Sequence, residues 1–358
     1  MNAERKFYID NIRWMTVILV LVYHVVYIFN CSGVISNFIV QGIPQLDTLL
    51  IFLYPWFMSL LFVVAGISAR YSLQKRSGKE FIKNRAKKIL VPSLAGIFII
   101  GWIMGWVTNQ YNPNMFGGND DLIPGFVKYL IYCLSGIGPL WFAHQLFIAC
   151  LVLMLVRVID KKDKLGELGK KANLPVLVLL VLPYWLSSML FNTPLIEVYR
   201  HGFYIFSFLL GYHVFVHDEV LERLRKVKAV LLPLALVVGV IYTVMRYGEN
   251  YTTQAVLQSP FTNVYAWLMI LAILSWAKDA LNFNNKFSRY MTKANFGIYV
   301  LHYPVLCLVA FVAEHLLQIP VAGCYIINLV VTAVLLPIVY EVLRRIPVIR
   351  FLLLGEGK

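Results

Sequence analysis

Three ionisable side chains share one face of the first apolar stretch of this 358-residue chain. At about 100° per residue, Asp10, Arg13 and His24 fall within a narrow sector of a single helix. A rise of about 1.5 Å per residue puts about 21 Å between Asp10 and His24, so along a straight helix the two cannot touch. An ionisable residue deep in an apolar run is costly and indicates a functional site by default. The alternative for His24 is an imidazole that is satisfied by a neighbouring helix.

Two cations, Arg85 and Lys88, lie three residues apart in the most basic loop of the chain. If a helix begins before them, the two side chains share one face. Such a pair suits a phosphorylated ligand, because phosphate oxygens accept charge-assisted hydrogen bonds from Arg and Lys. The alternative is ordinary topology-setting charge in contact with anionic lipid.

Six further candidates for substrate contacts are Trp141, His144, Glu197, Arg200, His201 and His302. Glu197 can pair with Arg200 or His201 at helical spacing. This group is also a candidate source of a carboxylate that orients His24. His302 is placed about two turns into the ninth apolar stretch from its cytoplasmic side, where it either contacts substrate or locks helix packing.

The sequence predicts no metal site. Its five cysteines form no close pair and no metal-ligand spacing. The adjacent carboxylates Asp120 and Asp121 are typical of a solvated loop. A Gly-rich phosphate loop, a serine elbow and a His-Glu-x-x-His motif are all absent from the sequence.

Composition then restricts the elements that must position these residues. Hydrophobic residues make up 60% of the chain and charged residues only 14%. No soluble domain of this length could bury so much apolar surface, so the sequence predicts a multi-pass membrane protein. The apolar runs are long enough for helices, whereas a membrane barrel would show short alternating segments. The predicted class is therefore all-α, in a single domain over residues 1–358 with no appended soluble domain.

Ten spans are predicted, at about 12–30, 46–69, 89–108, 139–156, 174–191, 200–216, 229–245, 257–277, 295–316 and 320–343. A proline inside the second span, Pro55, predicts a kink. Residues 126–136 are too short to span and are predicted to be interfacial or re-entrant.

The distribution of basic residues gives the orientation of the spans. With the amino terminus inside, all but three of the 32 Lys and Arg fall in inner segments, the exceptions being Lys128, Arg200 and Arg246. This positive-inside bias accounts for the formal charge of +14 without a nucleic-acid partner. Both termini are predicted to be cytoplasmic, and the first span is predicted to be a retained anchor rather than a cleaved signal peptide.

Separated stretches of the chain together resemble the acyltransferase-3 family of integral membrane acyltransferases. That family includes enzymes that acetylate surface polysaccharides and one that succinylates periplasmic glucans. The matching stretches are Arg5…Asp10-Asn-Ile-Arg13…Tyr23-His24, Pro55-Trp-Phe…Ala65-Gly66, Arg85-Ala-Lys-Lys88…Pro92, Leu140-Trp-Phe and Phe296-Gly-Ile-Tyr-Val-Leu-His302-Tyr-Pro304. Their order and spacing cover nearly the whole chain.

The resemblance implies transfer of an acyl group from cytoplasmic acyl-CoA to a hydroxyl of a glycan or lipid-linked acceptor. Acetyl-CoA or succinyl-CoA is the implied donor, and the cytoplasmic membrane is the implied location. Arg85 and Lys88 would hold the polyanionic nucleotide part of CoA. His24 would be the general base of a direct transfer, since an imidazole with a pKa of about 6.5 suits that role. Asp10 and Arg13 would be structural or gating partners.

Two positions depart from the family pattern. Ala65 stands where the family commonly has Ser, and Lys88 stands where it usually has Arg. Lysine keeps the positive charge but lacks the bidentate fork of a guanidinium. The alternative functions are a multi-pass transporter and a flippase for a lipid-linked glycan, neither of which would break a thioester.

Overall fold

The computed structural model describes residues 6–112, 114–118, 120–193 and 199–357. Helices form nearly all of the regular structure in these ranges. In chain order they are α1 (Phe7–Tyr27), α2 (Pro44–Leu73), α3 (Gly78–Tyr111), α4 (Gly125–Ser135), α5 (Gly138–Ile159), α6 (Lys164–Lys170), α7 (Leu174–Ser187), α8 (His201–Leu210), α9 (Asp218–Lys226), α10 (Lys228–Met245), α11 (Gln254–Leu257), α12 (Pro260–Ala280), α13 (Lys286–Leu316), α14 (Val321–Leu343) and α15 (Pro347–Leu354).

Eight helices in the described ranges are long and apolar enough to cross a membrane: α1, α2, α3, α5, α10, α12, α13 and α14. The predicted all-α membrane class is confirmed, and the protein is a multi-pass membrane protein. Two predicted spans, at 174–191 and 200–216, correspond to shorter helices, α7 and α8 with its continuation Gly211–Phe215. A straight helix needs about 20 residues to cross the hydrocarbon core. The total of ten spans, the single domain and the cytoplasmic termini stay predictions.

Several helices are locally distorted, and one of these distortions is at a proline in the sequence. The chain makes a turn at 54–56 within α2, where the sequence predicts a kink at Pro55. Helix α3 contains two π-type segments, Ala86–Leu90 and Ile97–Gly101, and α8 continues into a third, Gly211–Phe215. Such segments insert a residue into the helical repeat and are frequent at functional sites.

The chain packs into two units, each of which combines three separate stretches. The first unit consists of Met1–Thr16, described from residue 6, together with Ile51–Arg85 and Gln145–Lys293. The second unit consists of Val17–Leu50, Ala86–His144 and Ala294–Lys358.

Close approach of α2 and α8 organises the first unit. A Cβ at Gly66 would overlap the carbonyl oxygen of Phe208, and a Cβ at Gly211 would overlap that of Val63. Glycine at these two positions therefore lets the helix backbones touch, which is how membrane helices gain van der Waals contact. Nearby, Tyr184 donates a hydrogen bond of 2.8 Å to Ser59 within the buried interior.

Small residues play the same part in the second unit. A Cβ at Gly105 would overlap the backbone of Tyr132, and a Cβ at Gly136 would overlap the carbonyl oxygen of Gly101. Helices α3 and α4 consequently lie against each other along the glycine face. The predicted short segment at 126–136 is therefore a helix, α4, that packs on α3.

An ion-pair cluster joins three segments at one end of the first unit. Asp218 accepts from Lys6 at 2.6 Å and lies 2.9 Å from the ammonium of Lys278. Burial alone would raise the pKa of the Asp218 carboxyl, but the bonds from Lys6 and Lys278 outweigh burial and hold that pKa below its ordinary value. The charged form of Asp218 is therefore favoured in the folded state.

Asp218→Asn is expected to reduce the free energy of unfolding by about 0.5–1 kcal/mol at neutral pH, as for other partly exposed ion pairs. Because the folded pKa is lowered, the stabilisation is full above the unfolded pKa of about 3.9 and is lost as pH falls through the folded pKa. The melting temperatures of wild type and Asp218→Asn, measured from about pH 7 to pH 3, should converge as the pH falls. Asp121→Asn, at an exposed loop carboxylate, is the control. A difference in melting temperature between wild type and Asp218→Asn that stays constant with pH would contradict a stabilising role for the charged Asp218 carboxylate.

Candidate active site

Two imidazoles lie side by side in the second unit. Nε2 of His302 on α13 is 3.2 Å from Nδ1 of His24 on α1, and the ring centroids are 5.0 Å apart. His302 is 1% exposed, while His24 is half-buried. Helix α13 begins at Lys286, so His302 lies about four turns into the helix.

Hydrogen bonds to carbonyl groups determine which ring nitrogens carry protons. Nδ1 of His302 is 2.6 Å from the carbonyl oxygen of Tyr299, which only accepts, so this nitrogen carries the proton and Nε2 of a neutral His302 is an acceptor. Nδ1 of His24 faces two acceptors, the carbonyl oxygen of Val20 at 2.7 Å and Nε2 of His302. Nδ1 of His24 therefore carries a proton as well. Nε2 of a neutral His24 is then the unprotonated, basic nitrogen. Among the described residues nothing forms a hydrogen bond to it, and it is not a fully buried atom.

Aromatic rings hold the His24 ring in this orientation. The ring of Tyr303 lies 4.8 Å from it, and those of Tyr23 and Tyr27 lie 5.2 and 5.6 Å away, all near perpendicular or edge-on. Tyr303 is itself fixed by a hydrogen bond of 2.5 Å from its hydroxyl to Oδ1 of Asn37. A side chain held in this way loses little conformational freedom when a ligand binds beside it.

The stretch that begins α5 packs on the stretch that carries His302. The hydroxyl of Tyr299 donates to the carbonyl oxygen of Pro139, and the ring of Phe142 lies 5.4 Å from that of Tyr299. Trp141 and His144, both half-buried, lie on the same helix. The structure thus brings the motif regions around residues 24, 140 and 302 together in one unit.

Asp10 and Arg13 lie in the first unit and form an ion pair. Nη1 of Arg13 is 3.1 Å from Oδ1 of Asp10, and its Nη2 donates to Oγ of Ser68 at 2.5 Å. Ser68 lies about one helical turn after Ala65, so Arg13 has a hydroxyl partner as well as a carboxylate partner. The charge of Arg13 is compensated within the protein.

Arg85 differs from Arg13 in its charge environment. It is half-buried in the first unit, with its guanidinium 5.0 Å from the ring centroid of Phe81. No acidic side chain within the described ranges forms an ion pair with it. Lys88 belongs to the second unit and is exposed. Helix α3 begins at Gly78, before both residues, and its π-type segment Ala86–Leu90 begins directly after Arg85.

The predicted outer cluster is only partly within the described chain. Glu197 lies outside the described residues. Arg200 is 4% exposed, donates to the carbonyl oxygen of Leu257 at 3.1 Å and lies 4.0 Å above the ring of Phe203. Nε2 of His201 is 3.3 Å from the hydroxyl of Thr193.

The orienting partner of His24 is the main residue contact that sequence reasoning did not identify. The carboxylate that the sequence suggested, Glu197, lies outside the described residues, and within the described ranges Nδ1 of His24 contacts Val20 and His302. The signal available in the sequence was the second histidine within an aromatic motif, flanked by Tyr299 and Tyr303. The sequence gives no comparable signal for Asn37, which accepts the hydrogen bond from the Tyr303 hydroxyl.

Comparison with known proteins places these features in a family. The acyltransferase-3 family model, described as an acyltransferase domain, matches residues 6–342. Among curated proteins, "Glucans biosynthesis protein C" of Escherichia coli (strain SMS-3-5 / SECEC) is 24% identical over 381 residues, covering 99% of this chain and 95% of the relative. The protein of the same name from Salmonella schwarzengrund (strain CVM19633) is 22% identical over 379 residues, covering 99% of this chain and 96% of the relative. No solved structure matches the chain significantly.

Proposed function

The chain belongs to the acyltransferase-3 family and is a membrane acyltransferase, and from that premise we propose that acyl-CoA is its donor and that His24 is its general base. The acceptor in this proposal is a hydroxyl of a glycan or of a lipid-linked glycan. The observation that carries the assignment of the base is the fixed tautomer of His24, whose Nδ1 is held by Val20 and His302 while Nε2 has no partner in the described chain.

The reaction is a direct acyl transfer. Nε2 of His24 removes the proton from the acceptor hydroxyl as its oxygen attacks the carbonyl carbon of the thioester. The tetrahedral intermediate collapses, the carbon–sulfur bond breaks, and the CoA sulfur takes the proton back from His24. The products are an ester and free CoA thiol, so atoms and charge balance without an acyl-enzyme.

His302 has a positioning role in this scheme. When His24 accepts the proton, its ring becomes a cation whose Nδ1–H still points at two acceptors, the Val20 carbonyl and Nε2 of His302. Both groups accept a hydrogen bond from this N–H. Neither of them carries a proton at the contact when His302 is neutral. The contact with His302 therefore orients the His24 ring and leaves Nε2 free for the acceptor hydroxyl.

Arg85 supports acyl-CoA as the donor. A half-buried guanidinium with no acidic partner in the described ion pairs is available for a polyanion, and the nucleotide part of CoA carries several phosphate charges. Lys88 adds a second, exposed positive charge on the same helix. The excess of basic residues in the inner segments supports a cytoplasmic donor and a location in the cytoplasmic membrane.

The acceptor that we propose is a glucan, and the acyl group is acetyl or succinyl. Support for the glucan comes from the relatives named "Glucans biosynthesis protein C", which align over nearly the whole of both chains. Asp10 and Arg13 are proposed to be structural, since their charges compensate each other. Trp141, His144, Glu197, Arg200 and His201 stay predictions for acceptor contacts.

The test is a transfer assay on the purified full-length protein in detergent. With acyl-labelled acetyl-CoA or succinyl-CoA and a glucan acceptor, free thiol should appear in the same amount as ester-linked label on the glucan. Omitting the glucan is the control for simple hydrolysis. In proteoliposomes, movement of a glycan across the membrane with no thiol release would contradict the proposal and favour a transporter or flippase.

A further inference from the structure

A second polar cluster lies in the first unit, in a cavity of about 240 Å³. Its acidic, basic and histidine lining residues are Arg70, Arg157, Asp160, Lys161, Asp163 and His213. Asp160 and Asp163 lie in the turn between α5 and α6, and His213 lies in the π-type segment Gly211–Phe215 that continues α8. None of these residues takes part in the acyl transfer proposed above.

Three of these side chains offer metal-ligand atoms close to one another. A carboxylate oxygen of Asp160, a carboxylate oxygen of Asp163 and a ring nitrogen of His213 all lie within 4.8 Å of one another. Two oxygens and one imidazole nitrogen form a donor set that suits divalent ions of the zinc type, with water completing the coordination.

The buried ring of His213 has unused capacity to bind a ligand. His213 is 7% exposed, and neither of its ring nitrogens has a hydrogen-bond partner within the described chain. A neutral imidazole always carries one N–H and one lone pair, and leaving both unsatisfied in a buried position is costly. A metal ion on one nitrogen would satisfy the lone pair, and a metal-bound water would accept from the N–H.

The two carboxylates already have the supporting contacts that metal ligands usually have. Arg70 donates to both oxygens of Asp163, one of them at 2.7 Å. The backbone N–H groups of Lys164 and Leu165 donate to Asp160 at 2.7 and 2.8 Å. Each carboxylate oxygen keeps a second lone pair, and such outer contacts fix the orientation of ligating groups.

We propose that Asp160, Asp163 and His213 bind one divalent transition-metal ion of the zinc type. The bound ion joins the turn between α5 and α6 to the end of α8 and thereby stabilises the first unit. Arg157 and Lys161 are exposed at the rim of the cavity, where their positive charges weaken binding of a cation without occupying the ligand positions.

Co²⁺ titration of the metal-free, full-length protein tests this site, with visible absorption of the ion as the readout and Zn²⁺ as competitor. About one ion per chain should bind, and His213→Gln should weaken binding at least about 100-fold, because loss of even an outer-shell partner costs 10–100-fold. His217→Gln, four residues further along and outside the ligand set, is the matched control. Binding that is absent, or equal in His213→Gln and wild type, would overturn the proposal.

Lys161→Gln gives an independent answer should His213→Gln fail to fold. Removing a positive charge at the rim should tighten Co²⁺ binding and increase the rise in melting temperature that Zn²⁺ produces. If the cavity instead binds an anion, the same substitution weakens binding of inorganic phosphate and leaves Co²⁺ binding undetectable. That result would also overturn the proposal.

Discussion

Replacing His24 with alanine is expected to lower kcat for acyl transfer by about 10²–10⁴-fold, the range that a positioned general base contributes. The affinity for acyl-CoA should stay unchanged, because in the proposed mechanism the imidazole acts on the acceptor hydroxyl and not on the nucleotide. Rates come from release of CoA thiol in the presence of glucan, and affinities from calorimetric titration of the same protein samples. Loss of binding together with loss of rate would place His24 in donor binding instead.

Variants of His302 separate orientation of the base from simple packing. His302→Phe fills a similar volume but removes the acceptor from Nδ1 of His24, so kcat should fall. His302→Gln keeps an acceptor oxygen at a similar distance along the side chain, so it should recover part of the lost rate. His315→Ala, on the same helix but stacked on Phe311, is the matched histidine control and should leave kcat unchanged. Equal losses in His302→Phe and His302→Gln would mean that His302 acts through packing alone.

The apolar pattern of the sequence was sufficient to predict the class of fold. Runs such as residues 46–69 and 320–343 are long and nearly uncharged, and the hydrocarbon core leaves few alternatives to a helix for such runs. Pro55 likewise predicted the interruption of α2, because proline removes a backbone donor. The shorter helices α7 and α8 were less predictable, since hydropathy reports apolar length and not where a backbone turn ends the helix.

The sequence singled out His24 and His302 separately as candidate site residues, but it did not predict that the two lie in contact. His24 stood out because a single imidazole in an apolar run is costly, which is a local property of the sequence. Its partner, His302, is 278 residues away, and hydropathy does not say which helices lie side by side. The same limit explains why the cluster of Asp160, Asp163 and His213 was not predicted, because its members come from two distant segments.

Arg85→Ala is the second substitution with a large expected effect, and it acts on the donor. Hydrogen bonds to a charged group contribute about 1.5–3 kcal/mol, so Kd for acyl-CoA should rise by about 10–150-fold. Because the phosphate groups of CoA do not change during the reaction, the contact is equally strong in the ground and transition states. KM should therefore rise while kcat stays nearly the same.

The position of Arg85 explains why its neighbours should matter less. Arg85 is half-buried and lies over Phe81, whereas Lys83 and Lys88 are exposed, and exposed charges are screened by water and salt. Lys83→Ala, on the same helix, should leave Kd almost unchanged, and Lys88→Ala should raise it by no more than about fivefold, since exposed pairs contribute about 0.2–1 kcal/mol. Binding of free CoA should follow the same order, because free CoA and acyl-CoA carry the same phosphate groups. If Arg85→Ala bound acyl-CoA as tightly as Lys83→Ala does, the guanidinium would be a topology-setting charge and the nucleotide would have to bind elsewhere.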